Sequence, residues 1–417
     1  MTMAKNVTID RERSYQRIEH DIETLGGPDF TESDEAIRRY AYTDVYENTL
    51  QYFTRELEKI GFSVWRDPVG TLIASNVPKG APAFGIGSHC DSNRNGGKYD
   101  GTLGVVTALE VCRLAQESGQ HIPLRLISFL EEEGSGFGQM LLGSRIMLQR
   151  VTEEELKTTI LAPDGTSFWD SAKAAGYEPE RWQESIEEIE GLTGWIEVHI
   201  EQGRVLQDTN NRIGVVHALP GYVHGDFHFT GRADHAGATP MDFRVDAVIP
   251  AAETILEVER LANEIGKTTV GTTSELETHP CLINVVPGSV RVSLDTRSVT
   301  GGHVELRDRI VQYAKERAEA RGVGFEWIER QSLPITPMND RLVEALRQEA
   351  EATGEPFLVM PSGAAHDTMC VADKVPTAMV FVPCVDGLSH TPLEDSDTRD
   401  AALAAEIVLG AIIALGD

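Results

Sequence analysis

Five residues scattered along the chain, His89, Asp100, Glu133, His199 and His390, are of the types that bind divalent metal ions. Each lies in a short Gly- or acid-rich punctuation close to an apolar run. The settings are Gly87-Ser88-His89-Cys90-Asp91-Ser92, Tyr99-Asp100-Gly101, Glu131-Glu132-Glu133-Gly134, Glu197-Val198-His199-Ile200-Glu201-Gln202-Gly203 and Gly387-Leu388-Ser389-His390-Thr391-Pro392. Three imidazoles and two carboxylates suit Zn²⁺, Mn²⁺ or Co²⁺, and a carboxylate can bridge two such ions. The cofactor expected is therefore two divalent metal ions. Such a pair turns water into a nucleophile near neutral pH, which is what cleavage of an unreactive amide requires.

Glu132 and Glu133 leave an apolar strand as adjacent carboxylates, so their side chains point to opposite sides. One can ligate a metal while the other faces water. Burial would raise the pKa of the free one towards neutrality, fitting it for general-base and then general-acid work. Glu131 leaves the register open, and the Gly134 that follows favours Glu132 as base and Glu133 as ligand. Asp91, two residues after His89, lies on the same side of an extended chain and could accept the second imidazole N–H. Asp100 follows Asn95-Gly96-Gly97, a flexible loop able to carry a carboxylate between two ions. Cys90 is expected to point away as a small buried residue.

These residues need elements to position them. Residues 11–60 read as helical, Gly61 as a stop, and Phe62-Ser63-Val64-Trp65 with Leu72-Ile73-Ala74 as a hairpin. Strand, helix and strand follow over 84–87, 103–118 and 124–130. That alternation implies a mixed, mostly parallel sheet with helices on both faces, whose functional residues gather beyond the strands' carboxyl ends. From about Tyr222 the texture changes. Strands at 225–231, 290–295 and 322–328 with helices at 247–265 and 304–321 describe an inserted α+β block. Helix 340–353, strand 377–382 and a last helix return to the first texture. The expected division is a discontinuous catalytic domain of residues 1–218 and 330–417, with the inserted domain at 219–329.

Whole-chain properties narrow the function classes. The sequence has 417 residues, long enough for two domains. A formal net charge of −29 argues against nucleic acid or an anionic membrane as partner. No apolar run approaches the roughly 20 residues of a membrane span. The N-terminal residues lack the apolar segment of a secretory signal, so the expected location is cytoplasmic. Five cysteines, odd in number and without a C-x-x-C, argue against a disulfide framework.

Taken together, these motifs resemble the M20-type metallohydrolases, and within them the amidase branch of N-carbamoyl-L-amino acid hydrolases, β-ureidopropionases and allantoate amidohydrolases. The resemblance runs from about Tyr42 to the end. It implies one metal held by His89, Asp100 and His199 and another by Asp100, Glu133 and His390, with Glu132 as catalytic base. An imidazole at His199 is the discriminating feature, because peptidase-like relatives carry a carboxylate there. The inserted block matches the family's lid, which is also its dimerisation domain, so a homodimer is expected. His235, in Asp234-His235-Ala236-Gly237, matches the residue that polarises the scissile carbonyl. Asn284 and Arg297 match residues that grip the substrate carboxylate, a task suited to the guanidinium fork. Gln202 and His366 match further substrate-pocket residues. The chain departs from the pattern at Gly136, where Arg is usual, at Arg94 and at Ala365, which bears on substrate identity.

The expectation is thus a metal-dependent amidohydrolase that uses metal-activated hydroxide on a small carboxylate-bearing substrate, first of all an N-carbamoyl-L-amino acid. An allantoate- or ureidoglycolate-type ureide, or an N-acyl amino acid or other unusual amide, is the alternative inside the class. A binding protein on an inactive hydrolase scaffold is the alternative outside it.

Overall fold

The computed structural model describes residues 9–416, so the N-terminal stretch read above for a secretory signal lies outside the described residues. Of the described residues, 9–217, 338–360 and 365–416 form one compact unit, and 218–337 with 361–364 form the other. The return to the first unit falls at Met338, later than the expected 330. The cause is the last long strand of the insertion, Gly324–Leu333, which continues past 329 and is followed by the short strand Thr336–Pro337.

The first unit is built on an eight-stranded sheet in the order Ser63–Arg66, Leu72–Ser75, Leu124–Phe129, Ala83–His89, Leu192–Ile200, Thr377–Val382, Ile213–Val216, Phe357–Met360. The four strands from Leu124–Phe129 to Thr377–Val382 run parallel. The edge pair Ser63–Arg66 and Leu72–Ser75 is antiparallel, as the expected hairpin required. Ala83–His89, Leu124–Phe129 and Thr377–Val382 are buried along their whole length, the pattern of strands covered on both faces. Helix Thr102–Glu117 supplies the crossover, and its buried residues join the long C-terminal helix Thr398–Gly416 in one core. The mixed, mostly parallel α/β class is the one expected. Among the described residues no helix is long and apolar enough to cross a membrane.

The single helical run expected over 11–60 is two helices, Arg11–Leu25 and Asp44–Lys59. Gly26 closes the first, and Pro28, which cannot donate an N–H, starts a short 3₁₀ turn. The residues between are held by Arg39, 1 % exposed, whose guanidinium donates to the carbonyls of Leu25, Phe30 and Cys90.

The second unit has an antiparallel sheet in the order Thr269–Thr272, Ser289–Ser298, Gly221–Thr230, Gly324–Leu333, with Leu276–His279 also pairing to Ser289–Ser298. Helices Val248–Ile265 and Gly302–Glu319 share its core with Phe227, Phe229, Val290, Val292 and Leu294. Ser289–Ser298 alternates strictly, so Arg291, Asp295 and Arg297 lie on the face away from that core.

Candidate metal centre and active site

His89 is the last residue of its strand, His199 the penultimate residue of the neighbouring one, and the three glutamates begin two residues after Phe129, the last residue of the strand on the other side of His89. The carboxyl ends of adjacent parallel strands thus bring distant residues to one place. His89, Asp100 and His199 form one set whose ligand atoms lie within 4.8 Å of one another; Asp100, Glu133 and His390 form a second. Asp100 belongs to both. Its Oδ1 is 3.2 Å from His199 Nε2 and 3.6 Å from His89 Nε2, and its Oδ2 is 3.5 Å from His390 Nε2. Glu133 Oε1 stands 3.4 Å from His390 Nε2.

The ring environments favour ligation. His199 Nδ1 is 2.9 Å from the Ile200 carbonyl oxygen, and His89 Nδ1 is 3.3 Å from the Asp91 carbonyl oxygen. A proton donated from Nδ1 leaves the Nε2 lone pair directed into the cluster. Gly101 is needed here, since its φ is +62° and a Cβ would lie 2.3 Å from the His89 ring.

Electrostatics favour a cation in the same place. Burial and then the Asp100 charge push the Glu133 carboxyl well above its ordinary range. Glu132 is raised well above its range by burial, with Asp367, Glu133 and Asp91 adding to it and His89 opposing. Burial works to raise Asp100, yet His199, His89 and His390 hold it well below the usual carboxylate range. Glu133 Oε1 is buried without a hydrogen-bond partner among the described residues. Buried carboxylates of this kind are stable only when paired or coordinating, so the chemistry of these donors fits metal binding, with Asp100 common to both sets.

Glu132 joins neither set; its Oε2 is 3.7 Å from His89 Nε2. Glu131 adopts φ +55°, and its Oε1 accepts the N–H groups of Gly136 and Phe137, which commits that carboxylate to the loop. The departure at Gly136 follows from this, because a Cβ there would lie 2.8 Å from Glu131 Oε2. Arg94 is exposed, its carbonyl accepting from Arg38 Nε. Cys90 is buried and takes the Ser128 hydroxyl.

Of the expected pocket residues in the first unit, Gln202 donates through Nε2 to Asp100 Oδ2 at 2.8 Å, so its side chain addresses the residue shared by both sets. His366 is 1 % exposed and packs edge-on against the His199 ring, with centroids 4.5 Å apart. It therefore buttresses a ligand candidate.

The second unit carries His235, Asn284 and Arg297. The short strands Asp234–His235 and Val285–Val286 pair, and the Asn284 carbonyl accepts from Ala236 N. His235 and Asn284 are exposed. The N–H groups of Gly237 and Ala238 both donate to His235 Nδ1 at 3.1 Å. A neutral His235 then carries its proton on Nε2, as a hydrogen-bond donor. Arg297 pairs with Asp295 through Nε and Nη2, the latter at 2.9 Å from Oδ2, and His224 Nε2 lies 3.4 Å from the same carboxylate oxygen.

Two acidic residues that sequence reasoning did not single out sit behind the donors. Glu197, fully buried and two residues before His199 on the same strand, accepts from Ser88 Oγ, Thr368 N and Thr368 Oγ1. Glu394 accepts the N–H groups of Tyr99 and Asp100. Its only local signal was a spacing of four from His390.

The model of peptidase family M20/M25/M40 matches residues 82–414. The N-carbamoyl-L-amino-acid amidohydrolase of Paenarthrobacter aurescens is 36 % identical over 405 residues, covering 96 % of this chain and 98 % of that one. The ureidoglycolate hydrolase of Arabidopsis thaliana is 33 % identical over 387 residues, covering 89 % of this chain and 81 % of that protein. A crystal structure of AtUAH in complex with (S)-hydroxyglycine superimposes with a TM-score of 0.84 at 29 % identity, covering 99 % of both chains. A family match over most of the chain and a relative above 30 % identity along nearly its whole length lead to one conclusion: this chain belongs to the M20/M25/M40 peptidase family.

Proposed function

We propose that this protein hydrolyses a linear ureido or amide bond in a small carboxylate-bearing substrate, first of all an N-carbamoyl-L-amino acid. That the chain is a hydrolase of carbon–nitrogen bonds other than peptide bonds follows from its family and its amidohydrolase relatives. The observation that carries the finer reading is the pair of donor sets sharing Asp100 with Glu132 beside them.

His89, Asp100 and His199 would hold one divalent ion and Asp100, Glu133 and His390 the other, Zn²⁺, Mn²⁺ or Co²⁺ all suiting the donors. Such a pair acidifies water and polarises a carbonyl oxygen. Glu132 takes the proton from the attacking water, its high proton affinity coming from burial. It returns that proton to the departing nitrogen. His235, with its Nε2 proton, donates to the developing oxyanion, an interaction worth about 3 kcal/mol in comparable sites. Arg297, held by Asp295, and Asn284 bind the substrate carboxylate, and Gln202 steadies the bridging residue. A carbamoyl substrate and one water give amino acid, CO₂ and ammonia. The protein acts as a homodimer through its second unit, a reading supported by the exposed Leu282 and Ile283 beside Asn284 and by the exposed Val270 on an edge strand.

The similarity to ureidoglycolate hydrolase and to AtUAH favours a second reading, a ureide substrate. Incubation with N-carbamoyl-L-amino acids, allantoate, ureidoglycolate and N-acyl amino acids, with ammonia and amine both quantified, separates these. Equal ammonia and amino acid from an N-carbamoyl substrate is the expected result. Ammonia from the ureides alone would move the assignment to the second reading, and amine without ammonia would remove both.

A further inference from the structure

Asp100 serves both donor sets, yet no regular element holds it. It sits in the loop between strand Ala83–His89 and helix Thr102–Glu117, after Gly96 and Gly97. The anchor comes from the far end of the chain. Glu394, 4 % exposed, accepts Tyr99 N at 2.8 Å and Asp100 N at 2.9 Å through Oε1. Its Oε2 lies 3.3 Å from the Ser389 hydroxyl, which donates to Asp100 Oδ2 at 2.7 Å. Tyr99 adds a second tie, its hydroxyl donating to Asp395 Oδ1 at 3.0 Å. Gly97 makes the approach possible, since a Cβ there would lie 2.4 Å from Glu394 Cβ and 2.5 Å from its Oε1.

We propose that Glu394 is a positioning residue for the metal centre: it clamps the Asp100 loop to the His390 loop and thereby makes the Asp100–Glu133–His390 set competent to bind its ion. This rests on the reading of the two donor sets as metal sites. The two sets depend on the clamp unequally. His89 and His199 project from buried central strands, so the first set keeps two fixed imidazoles if Asp100 shifts. Glu133 and His390 both lie in loops, and the His390 side chain is 46 % exposed with φ +57°. All three residues of the second set thus come from loops.

The test is a Co²⁺ titration of the metal-free full-length protein. Bound metal is measured by elemental analysis, and site affinities by visible absorption. The wild type, Glu394→Ala, Glu394→Gln, Gly97→Ala and, as a control lacking one donor, His390→Ala are compared. Wild type should bind two ions. Glu394→Ala should weaken the second site roughly 10–100-fold, the usual cost of removing an outer partner of a ligand, and leave the first unchanged. Glu394→Gln should stay close to wild type, because its amide oxygen still accepts both N–H groups. Gly97→Ala, which displaces Glu394 without removing a polar group, should reproduce the loss at the second site. Unchanged second-site affinity in folded Glu394→Ala overturns the proposal. If that variant does not fold, unchanged affinity in Gly97→Ala does so. A wild type that binds no Co²⁺ would remove the metal reading itself, a result distinct from either.

Discussion

The Asp91 carboxylate accepts the backbone N–H of Glu132 at 3.1 Å through Oδ1, and through Oδ2 that of Glu133 at 3.0 Å. The same carboxylate lies 3.4 Å from His89 Nδ1. One side chain, two residues beyond the end of its strand, thus orients an imidazole of the first donor set and fixes the backbone that carries both acidic side chains. Because Glu132 is anchored through its backbone, replacing its carboxylate by an amide should leave the geometry intact. Glu132→Gln is expected to retain both metals and to lose at least ~10²-fold in kcat, the usual contribution of a general base. Steady-state kinetics beside metal analysis checks this. Metal loss in a folded variant would exchange the roles of Glu132 and Glu133, and undiminished kcat would end the mechanism.

Arg297 offers a test of the substrate's charge. Asp295 takes the Nε–Nη2 edge of its fork, which fixes the direction in which the guanidinium points. Arg297→Ala should lower kcat/KM on carboxylate substrates by the equivalent of roughly 2–5 kcal/mol, the cost of stranding one member of a desolvated charge pair. Substrates with the carboxylate amidated should lose a similar amount with the wild type and little more with the variant. Asp295→Asn should raise KM more than it lowers kcat. Wild-type behaviour of Arg297→Ala on every carboxylate substrate would refute the assignment of the substrate's acid group.

What local pattern could and could not reveal follows from where each residue finds its partners. His89, Glu133 and His199 were legible because a parallel strand announces itself as an apolar run, and its carboxyl end is where chemistry collects. The helix break at Gly26 was visible in principle, but the segment after it is organised by Arg39, whose carbonyl partners include Cys90, 51 residues away. Beyond its spacing of four from His390, Glu394 had no local signal. Its acceptors' partners, Tyr99 and Asp100, lie nearly 300 residues earlier, and an acid in a turn is ordinarily just a solvated acid. The same holds for Gly136, whose meaning appears only when Glu131 is seen folded back upon it.

Gly136 itself can be tested. A side chain at this position must displace the Glu131 carboxylate from the N–H groups it accepts, and Glu131 precedes the catalytic candidate directly. Gly136→Ala should cost about 1–3 kcal/mol of stability, as overpacking of a filled site does. It should also depress kcat, because the loop that carries Glu132 and Glu133 has to move. Denaturant unfolding and kinetics on the same preparation would show both. A variant as stable and as active as the wild type would mean that the loop yields without strain and that Glu131 does not shape it.

Asp67 lies away from the donor sets, in the turn between Ser63–Arg66 and Leu72–Ser75. Its Oδ1 accepts the N–H groups of Val69 and Thr71 at 3.1 and 2.8 Å. Burial pushes its carboxyl up from 3.8 to about 6, with the Glu188 charge adding to the rise and hydrogen bonds from Ser185, Thr71 and Val69 opposing it. Below 3.8 both folded and unfolded chains hold the proton, and the group's full contribution to stability is present. As the pH rises from there to about 6, the unfolded chain releases the proton while the folded one keeps it, so stability falls. At about 1.4 kcal/mol per tenfold change, the loss approaches about 3 kcal/mol once the folded carboxyl has ionised. Asp67→Asn keeps the oxygen that accepts both N–H groups and cannot ionise. Its melting temperature relative to the wild type should therefore climb between about pH 4 and pH 7. Groups at the donor sets titrate in both proteins and cancel in that difference. Parallel melting curves across the range would show that Asp67 is already ionised in the folded protein.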